Sequence, residues 1–364
     1  MKRLPPFLPG AALLLSGCAA SSSSTPLWWQ ETAAELNVKL GGCTVGDLDP
    51  AYPGQEIGVV AGDGSVFCLR FDGRGWAQEE VAQLPGEQIQ CLACDLFPDL
   101  PGDELVTVGV ARGSEESGAP GAAWVHWKEA GTWHSEKLFE DTALLHALAF
   151  GDVDPRHAGD ELILAGFSGR VNVLSRGDDE LVSESFGPLP GNAKGAATGL
   201  GGVVLACDDG SLCVMRRADA GWQLEILDKF QTQLARVSAQ PSRALVSAND
   251  GNLRLVDGNG VQVIPISNQA LRGALLVDLD PELDGQEMAT AGYDGKLWLI
   301  ALREAETDNL SLGIRAGDRV VQRTVIGQDD DRLHHLTSGA LSGLGPCLVA
   351  CGYSGRVIVV SRVD

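Results

Sequence analysis

Basic residues are in short supply: 27 Lys plus Arg stand against 49 Asp plus Glu, a formal net charge of −22 over 364 residues. Such a chain is repelled by a phosphate backbone, which excludes nucleic acid as a general partner. Beyond the first residues, no apolar run approaches the length needed to cross a bilayer. There is no Gly-x-Ser-x-Gly elbow, no Walker-type phosphate loop and no His-Glu-x-x-His pair. Zinc-type clustering of cysteine and histidine is missing too. Nothing therefore places a nucleophile or a hydrolytic metal, and the expectation is a protein that is not an enzyme. What the sequence has in excess is glycine, 46 residues, which points to a turn-dense all-β architecture.

The first residues read as a processing signal. Lys2 and Arg3 precede an apolar stretch from Leu4 to Leu15, too short to span a membrane. It runs into Leu15-Ser16-Gly17-Cys18, which resembles the lipobox of bacterial lipoproteins. The resemblance implies a signal peptide over residues 1–17, cleavage before Cys18 and lipidation of Cys18, with several acyl chains for stable anchoring. Ala19, where an aspartate would favour the inner membrane, implies outer-membrane placement in the cell envelope. Residues 18–26 then form the lipidated cysteine and a Ser-rich tether. Without residues 1–17 the balance is 25 basic against 49 acidic residues, or −24.

Internal repeats determine the fold of residues 27–364. Gly46-Asp47-Leu48-Asp49-Pro50, Gly54-Gln55-Glu56, an apolar run and Asp63-Gly64 form one unit. It returns from Gly151 through Glu161 to Ser168-Gly169, and from Asp278 through Glu287 to Asp294-Gly295. A worn copy runs from Cys94 to Leu105, and three more keep only the strand–turn–strand around Asp209-Gly210, Asp250-Gly251 and Ser354-Gly355. Asp-Gly between β-branched runs marks a hairpin, because the turn needs positive φ. A Trp-x-x-Glu-x-apolar pattern at Trp76, Trp133 and Trp222 marks a fourth strand. These features predict a seven-bladed β-propeller of four-stranded blades; an eighth blade would have to hide in residues 302–330. Trp28-Trp29-Gln30-Glu31 repeats the outer-strand pattern, so this segment is expected to complete the last blade and close the ring.

Setting Cys18 aside leaves eight cysteines. Cys207 and Cys213 flank a tight turn and could meet across a hairpin. Cys91 and Cys94 are three apart on a predicted strand and should point to opposite faces. Small buried core residues are the other reading of these cysteines.

The repeat resembles the FG-GAP/VCBS propellers, including those of integrin α chains, and its Asp-x-Asp-Pro-x-x-x-Gly-x-Glu loop is similar to loops in rhamnogalacturonan lyase propellers. The resemblance covers roughly residues 28–364 through short motifs in four of the seven units. It implies structural calcium, a cation that takes six to eight oxygen ligands. The candidate ligands are Asp47, Asp49 and Glu56; Asp95, Asp99 and Glu104; Asp152, Asp154 and Glu161; and Asp278, Asp280 and Glu287, with Glu282 or Asp284 in reserve. The pattern departs from the integrin type: Ala51 or Arg156 fills the fifth position and Phe97 replaces the second aspartate of the second unit. Capping of turns by these carboxylates is the alternative. Tryptophan-docking quinoprotein repeats and Gly-His…Trp-Asp repeats are both absent.

Aligning the units places His146, Lys194, Arg272 and His334 at one equivalent position at the mouth of the channel. Gly41 and Ile89 occupy it in units one and two, and either Leu234 or Arg236 in unit five. Phe167, Tyr293 and Tyr353 share a second position, just before the turn. These seven residues are the candidate ligand site, with channel lining and packing between blades as the alternative roles. If the histidines titrate near neutrality, an anion should bind more tightly as pH falls from about 7.5 to 5.5. A longer turn from Arg112 to Gly121, with Glu115 and Glu116, is expected over the same face, and a polar insertion at 303–318 on the opposite one. The functional expectation is a lipid-anchored binding or scaffold propeller facing a protein or glycan ligand. An envelope assembly factor and a carbohydrate-active enzyme related to the lyase propellers are the alternatives.

Overall fold

The computed structural model describes residues 27–114, 118–177, 180–282, 287–304, 314–316 and 319–363. The proposed signal peptide, Cys18 and the tether lie outside the described residues, as do Glu115, Glu116, Asp284 and most of the 303–318 insertion.

Within them, the chain forms seven antiparallel sheets. Blade one is β2 (Leu40–Gly46), β3 (Glu56–Ala61), β4 (Ser65–Phe71) and β5 (Trp76–Gln83). Blade two is β6 (Gln88–Cys94), β7 (Glu104–Val110), β8 (Gly121–Glu129) and β9 (Thr132–Asp141). Blade three is β10 (Leu145–Gly151), β11 (Glu161–Gly166), β12 (Val171–Arg176) and β13 (Leu181–Phe186). Blade four is β14 (Ala193–Gly199), β15 (Gly202–Cys207), β16 (Ser211–Ala218) and β17 (Gly221–Lys229). Blade five is β18 (Leu234–Gln240), β19 (Arg243–Ala248), β20 (Asn252–Asp257) and β21 (Gly260–Pro265). Blade six is β22 (Leu275–Val277), β23 (Glu287–Ala291), β24 (Lys296–Glu304) and β26 (Arg319–Gln328), with the short β25 (Ile314–Ala316) as a fifth strand at its outer edge. Blade seven is β27 (Leu333–Leu341), β28 (Gly345–Gly352) and β29 (Arg356–Val363), completed by β1 (Leu27–Glu35).

This is the seven-bladed propeller the repeats predict, with one addition: blade six gains β25. The second-to-third-strand turns follow directly from sequence. Asp63, Asp209, Asp250 and Asp294 each accept a hydrogen bond from the backbone N–H two residues on, at 2.9–3.2 Å. The intervening glycine takes positive φ; at Gly355 a Cβ would stand 1.7 Å from the Leu36 carbonyl oxygen, so the turn tolerates no other residue.

Closure also follows expectation. β1 pairs with β29 from Leu27↔Val363 to Glu35↔Arg356. The Gln30 side chain clips this strand to blade six, donating to the Gln328 carbonyl at 2.9 Å and accepting from its N–H at 2.7 Å.

Each blade buries both faces against its neighbours, so apolar clusters lie between blades. One joins Val59 and Leu69 of blade one to Val349 and Val357 of blade seven, and another joins Ile163 and Val173 to Leu205 and Met215. Strands buried on both faces read as continuous apolar runs, which explains β3, β7 and β11.

All eight described cysteines are buried free thiols, Cys207 and Cys213 among them. Cys91 packs between blades one and two and Cys94 between blades two and three, on opposite faces as expected. Burial pushes the Cys43, Cys91 and Cys94 thiols well above the usual range. The described thiols should be silent to a thiol reagent in the native protein and all react once urea unfolds it. Rapid labelling of native protein at Cys43, Cys91 or Cys94 in a peptide map would contradict this packing.

Candidate functional site

The acidic loops join the first and second strands of blades one, two, three and six. Glu56 Oε2 accepts hydrogen bonds from the N–H groups of Leu48 and Asp49, both at 3.0 Å. Glu161 does the same for Val153 and Asp154 at 2.9 and 3.0 Å, and Glu287 for Leu279 and Asp280 at 2.7 and 3.2 Å. Glu104 takes the Phe97 N–H at 2.8 Å. Burial raises these four carboxyls above the ordinary range, Glu56 and Glu104 to about 7.

The later aspartate of each loop meets a cation on the third strand of the next blade. Asp49 binds Lys128 at 2.8 Å, Asp154 lies 3.9 Å from Arg217, and Asp99 and Asp280 bond to Arg176 and Arg362. Asp95, Asp152 and Asp278 are exposed, and burial raises the Asp47 carboxyl. Among the described residues no group of three or more His, Cys, Asp or Glu side chains converges on a point that could hold a metal ion. As placed, the described donors cap turns and pair between blades.

The cationic partners were missed in the sequence although a signal exists. Arg176, Arg217 and Arg362 each stand seven residues after a turn glycine, Gly169, Gly210 and Gly355. Blades one, five and six, which follow blades without the acidic loop, have Phe71, Gly258 and Leu302 there. The Asp280 and Arg362 side chains are only 3% and 14% exposed, so Arg362→Met strands a buried carboxylate. We expect it to cost about 3 kcal/mol in urea unfolding, with much of that recovered in the Asp280→Asn/Arg362→Met double variant. A loss under about 1 kcal/mol would make the clamp a surface pair.

The second site is the mouth of the channel. His146, Lys194, Arg272, His334, Tyr293 and Tyr353 line one cavity of about 170 Å³, together with Gly41, Ile89 and Arg236. Their shared position has a physical cause. Along each innermost strand the register skips a residue: Gly41, Ile89, His146, Lys194 and His334 are bulge residues, and in blade five the bulge takes in Ala235 and Arg236. At blade six Arg272 and Gly273 both donate to the Ala291 carbonyl, the same two-against-one arrangement. A bulge re-aims its side chain out of the pleat, here into the channel.

The structure thus brings together six of the seven proposed residues as lining. Phe167 stands behind them, stacked on His146 at 5.8 Å between ring centroids and lying under Lys194 at 4.1 Å. It also settles blade five, where Leu234 and Arg236 both line the cavity and Arg236 carries the charge. Sequence reading missed Lys39, Gln233 and Asn249, which join the wall from outside the innermost strands.

Arg236 is 6% exposed. Its Nη1 bonds to the Lys194 carbonyl and lies 3.2 Å from His146 Nδ1. His334 Nδ1 donates to the Gly41 carbonyl at 3.0 Å. Arg272 bonds to the Asn249 side-chain oxygen and covers the Tyr293 ring at 4.4 Å, while Lys39 stands 5.1 Å over Tyr353. The two tyrosine hydroxyls are 3.2 Å apart.

One expectation is corrected here. Burial first, then the charge of Arg236, holds both His146 and His334 well below the ordinary imidazole range. Held that low, the two imidazoles resist protonation as pH falls, which removes the basis for expecting them to tighten anion binding toward pH 5.5. The positive charge of the mouth comes from Lys39, Lys194, Arg236 and Arg272.

On the far side of Arg236 a second cavity of about 270 Å³ is lined mainly by residues of the innermost strands, Ala149, Gly195, Ala239, Cys43 and His335 among them. Arg236 lines both cavities and stands between them.

No family model matches this chain, and no curated protein matches it. Among solved structures it is similar to the crystal structure of the WD40 β-propeller domain of Doa1, with a TM-score of 0.61 and 13% identity over 92% of this chain and 98% of that one. At that identity the likeness shows the fold alone.

Proposed function

We propose that this propeller is a non-enzymatic binding scaffold that holds an acidic group of a protein or glycan ligand in the mouth of its channel. One observation carries the reading. Lys39, Lys194, Arg236 and Arg272 converge on the cavity, and none of the described residues lining it is Asp or Glu, in a chain of net charge −22. A positive well in a negative surface steers an anion to one place. The aromatic rings favour an acidic group over a neutral sugar ring: cations already cover Phe167, Tyr293 and Tyr353, leaving little open face for stacking.

The lipobox-like Leu15–Cys18 segment supports attachment through Cys18 to the envelope, on the outer membrane. The Asp-x-Asp-Pro loops support kinship with FG-GAP/VCBS propellers.

The test compares wild type with a Lys194→Glu/Arg272→Glu variant as baits for envelope extract and acidic glycans. Wild type should retain a ligand that salt of about 0.5 M releases, and the variant less than a tenth as much. Equal retention by both would remove the mouth from the binding site. For the anchor, the N-terminal peptide should carry acyl mass at Cys18, and Cys18→Ala should lose both that mass and sedimentation with membranes. An unacylated, fully soluble wild type would refute the anchor.

A further inference from the structure

We infer that the group held at the channel mouth is a compact tetrahedral dianion, a phosphomonoester or a free phosphate or sulfate ion, and not a carboxylate. This deepens the proposed function and rests on the mouth being the binding site.

Charge comes first. Two ammonium and two guanidinium groups face a space of about 170 Å³, and Glu87, bonded to Lys39 at 3.1 Å, offsets one of them. In a partly buried ring, where Coulomb terms are larger than in water, four facing cations attract a dianion more strongly than a single carboxylate.

Geometry is the second reason. A planar carboxylate is gripped best by one guanidinium, edge on. Here the donors come from four directions: Lys39 leads into blade one, Lys194 is on blade four, Arg236 on blade five and Arg272 on blade six. Bulges turn Lys194 and Arg236 into the channel, the two-against-one arrangement at Ala291 does the same for Arg272, and Lys39 reaches the same cavity from just before β2; donors spread over four blades suit oxygens pointing to the corners of a tetrahedron. The wall adds neutral donors: the Tyr293 and Tyr353 hydroxyls bond to each other, which leaves one of them to donate outward, and the Gln233 amide nitrogen stands beside the cations, its oxygen taken by Asn249 at 2.8 Å.

The titratable and charged groups facing the space are Lys39, Lys194, Arg236, Arg272, His146, His334, Tyr293 and Tyr353, with Glu87 behind Lys39, Arg332 over the two tyrosine rings and His335 next to His334. Burial and the charge of Arg236 hold both His146 and His334 well below the ordinary imidazole range, so the pH response between 6 and 8 is expected to follow the ligand. Sulfate stays doubly charged there, whereas phosphate gains its second charge as pH rises.

Calorimetry on the intact protein with sulfate, inorganic phosphate, methyl phosphate, methyl sulfate and acetate tests this. Sulfate should bind at least tenfold tighter than acetate or the monoanionic methyl sulfate, with little change between pH 6 and 8. Phosphate should bind severalfold tighter at pH 8 than at pH 6. Methyl phosphate equal to phosphate would identify an ester-borne group; a tenfold loss on methylation would identify the free ion, and both accord with the inference. Arg272→Gln and Lys194→Gln, on half-buried side chains that leave the core intact, should each weaken sulfate about tenfold while melting with wild type. Acetate binding as tightly as sulfate, lost in the same two variants, would overturn the dianion and keep the acidic-group reading. Binding of no anion, or binding unchanged in both variants, would overturn both.

Discussion

Deleting residues 27–33 should produce a protein that aggregates on concentration and melts roughly 10 °C or more below wild type. The segment is most of β1, the strand that completes blade seven from the other end of the chain. Without it β29 becomes an exposed edge, with unpaired N–H and C=O groups along its length. Trp28 leaves the cluster it shares with Leu348 and Val360, a loss of about 2 kcal/mol in burial alone. Gln30 also lets go of Gln328, uncoupling blade six from blade seven. Because β1 also packs toward blade one, the loss should spread to that interface, where Ala33 and Leu36 lie. Melting followed by circular dichroism checks it; a deletion protein that melts with wild type would show that closure does not depend on β1.

Replacing Arg236 by methionine should weaken anion binding about a hundredfold, or about 3 kcal/mol, the scale of removing a buried charged partner. Arg236 stands at the floor of the mouth, and methionine fills similar space without the charge. The same change should be visible in the histidines. Arg236 depresses His146, His334 and His335, with burial the larger cause at each. Loss of the guanidinium should therefore move all three upward, still below the ordinary range.

The consequence for stability has a definite sign. Groups whose folded pKa is depressed contribute stability above the unfolded imidazole pKa, about 6.5, and that stability is lost as pH falls below it. In Arg236→Met the loss from these histidines should begin at the same pH but end sooner, because the folded histidines protonate at less acidic pH. Histidine titrations by NMR with calorimetric anion binding test both effects. Unshifted imidazoles, or unchanged affinity, would mean that Arg236 is a structural plug.

Much of the fold could be read because the propeller repeats its local chemistry. Asp63-Gly64 and its counterparts specify a turn whatever surrounds them, and Trp28-Trp29-Gln30-Glu31 carries its outer-strand pattern at the far end of the chain. The ring at the mouth was legible by alignment, since a bulge at a fixed place in each inner strand aims equivalent residues alike. Blade five resisted because its bulge takes in two residues, Ala235 and Arg236, so counting alone could not choose between Leu234 and Arg236. Lys39 was hidden because it precedes its strand and reaches the mouth from outside the repeat.

The acidic loops show a different limit. Asp154 and Asp280 have the spacing of cation ligands, but what they meet depends on the neighbouring blade. Arg217 and Arg362 lie 63 and 82 residues further along the chain, a separation that loop motifs do not encode. The imidazole expectation failed for a related reason: the residue type gives a titration near neutrality, while burial beside Arg236 is a property of the assembled ring.

The most direct test of the central claim is a crystal structure from selenate solution, with data at the selenium edge. Selenate shares the charge and shape of sulfate and is identified by its anomalous signal. An anomalous peak inside the mouth, within hydrogen-bond reach of Arg236 and Arg272 and lost in Arg272→Gln crystals, is the predicted result. A mouth without a peak at saturating selenate would contradict the account.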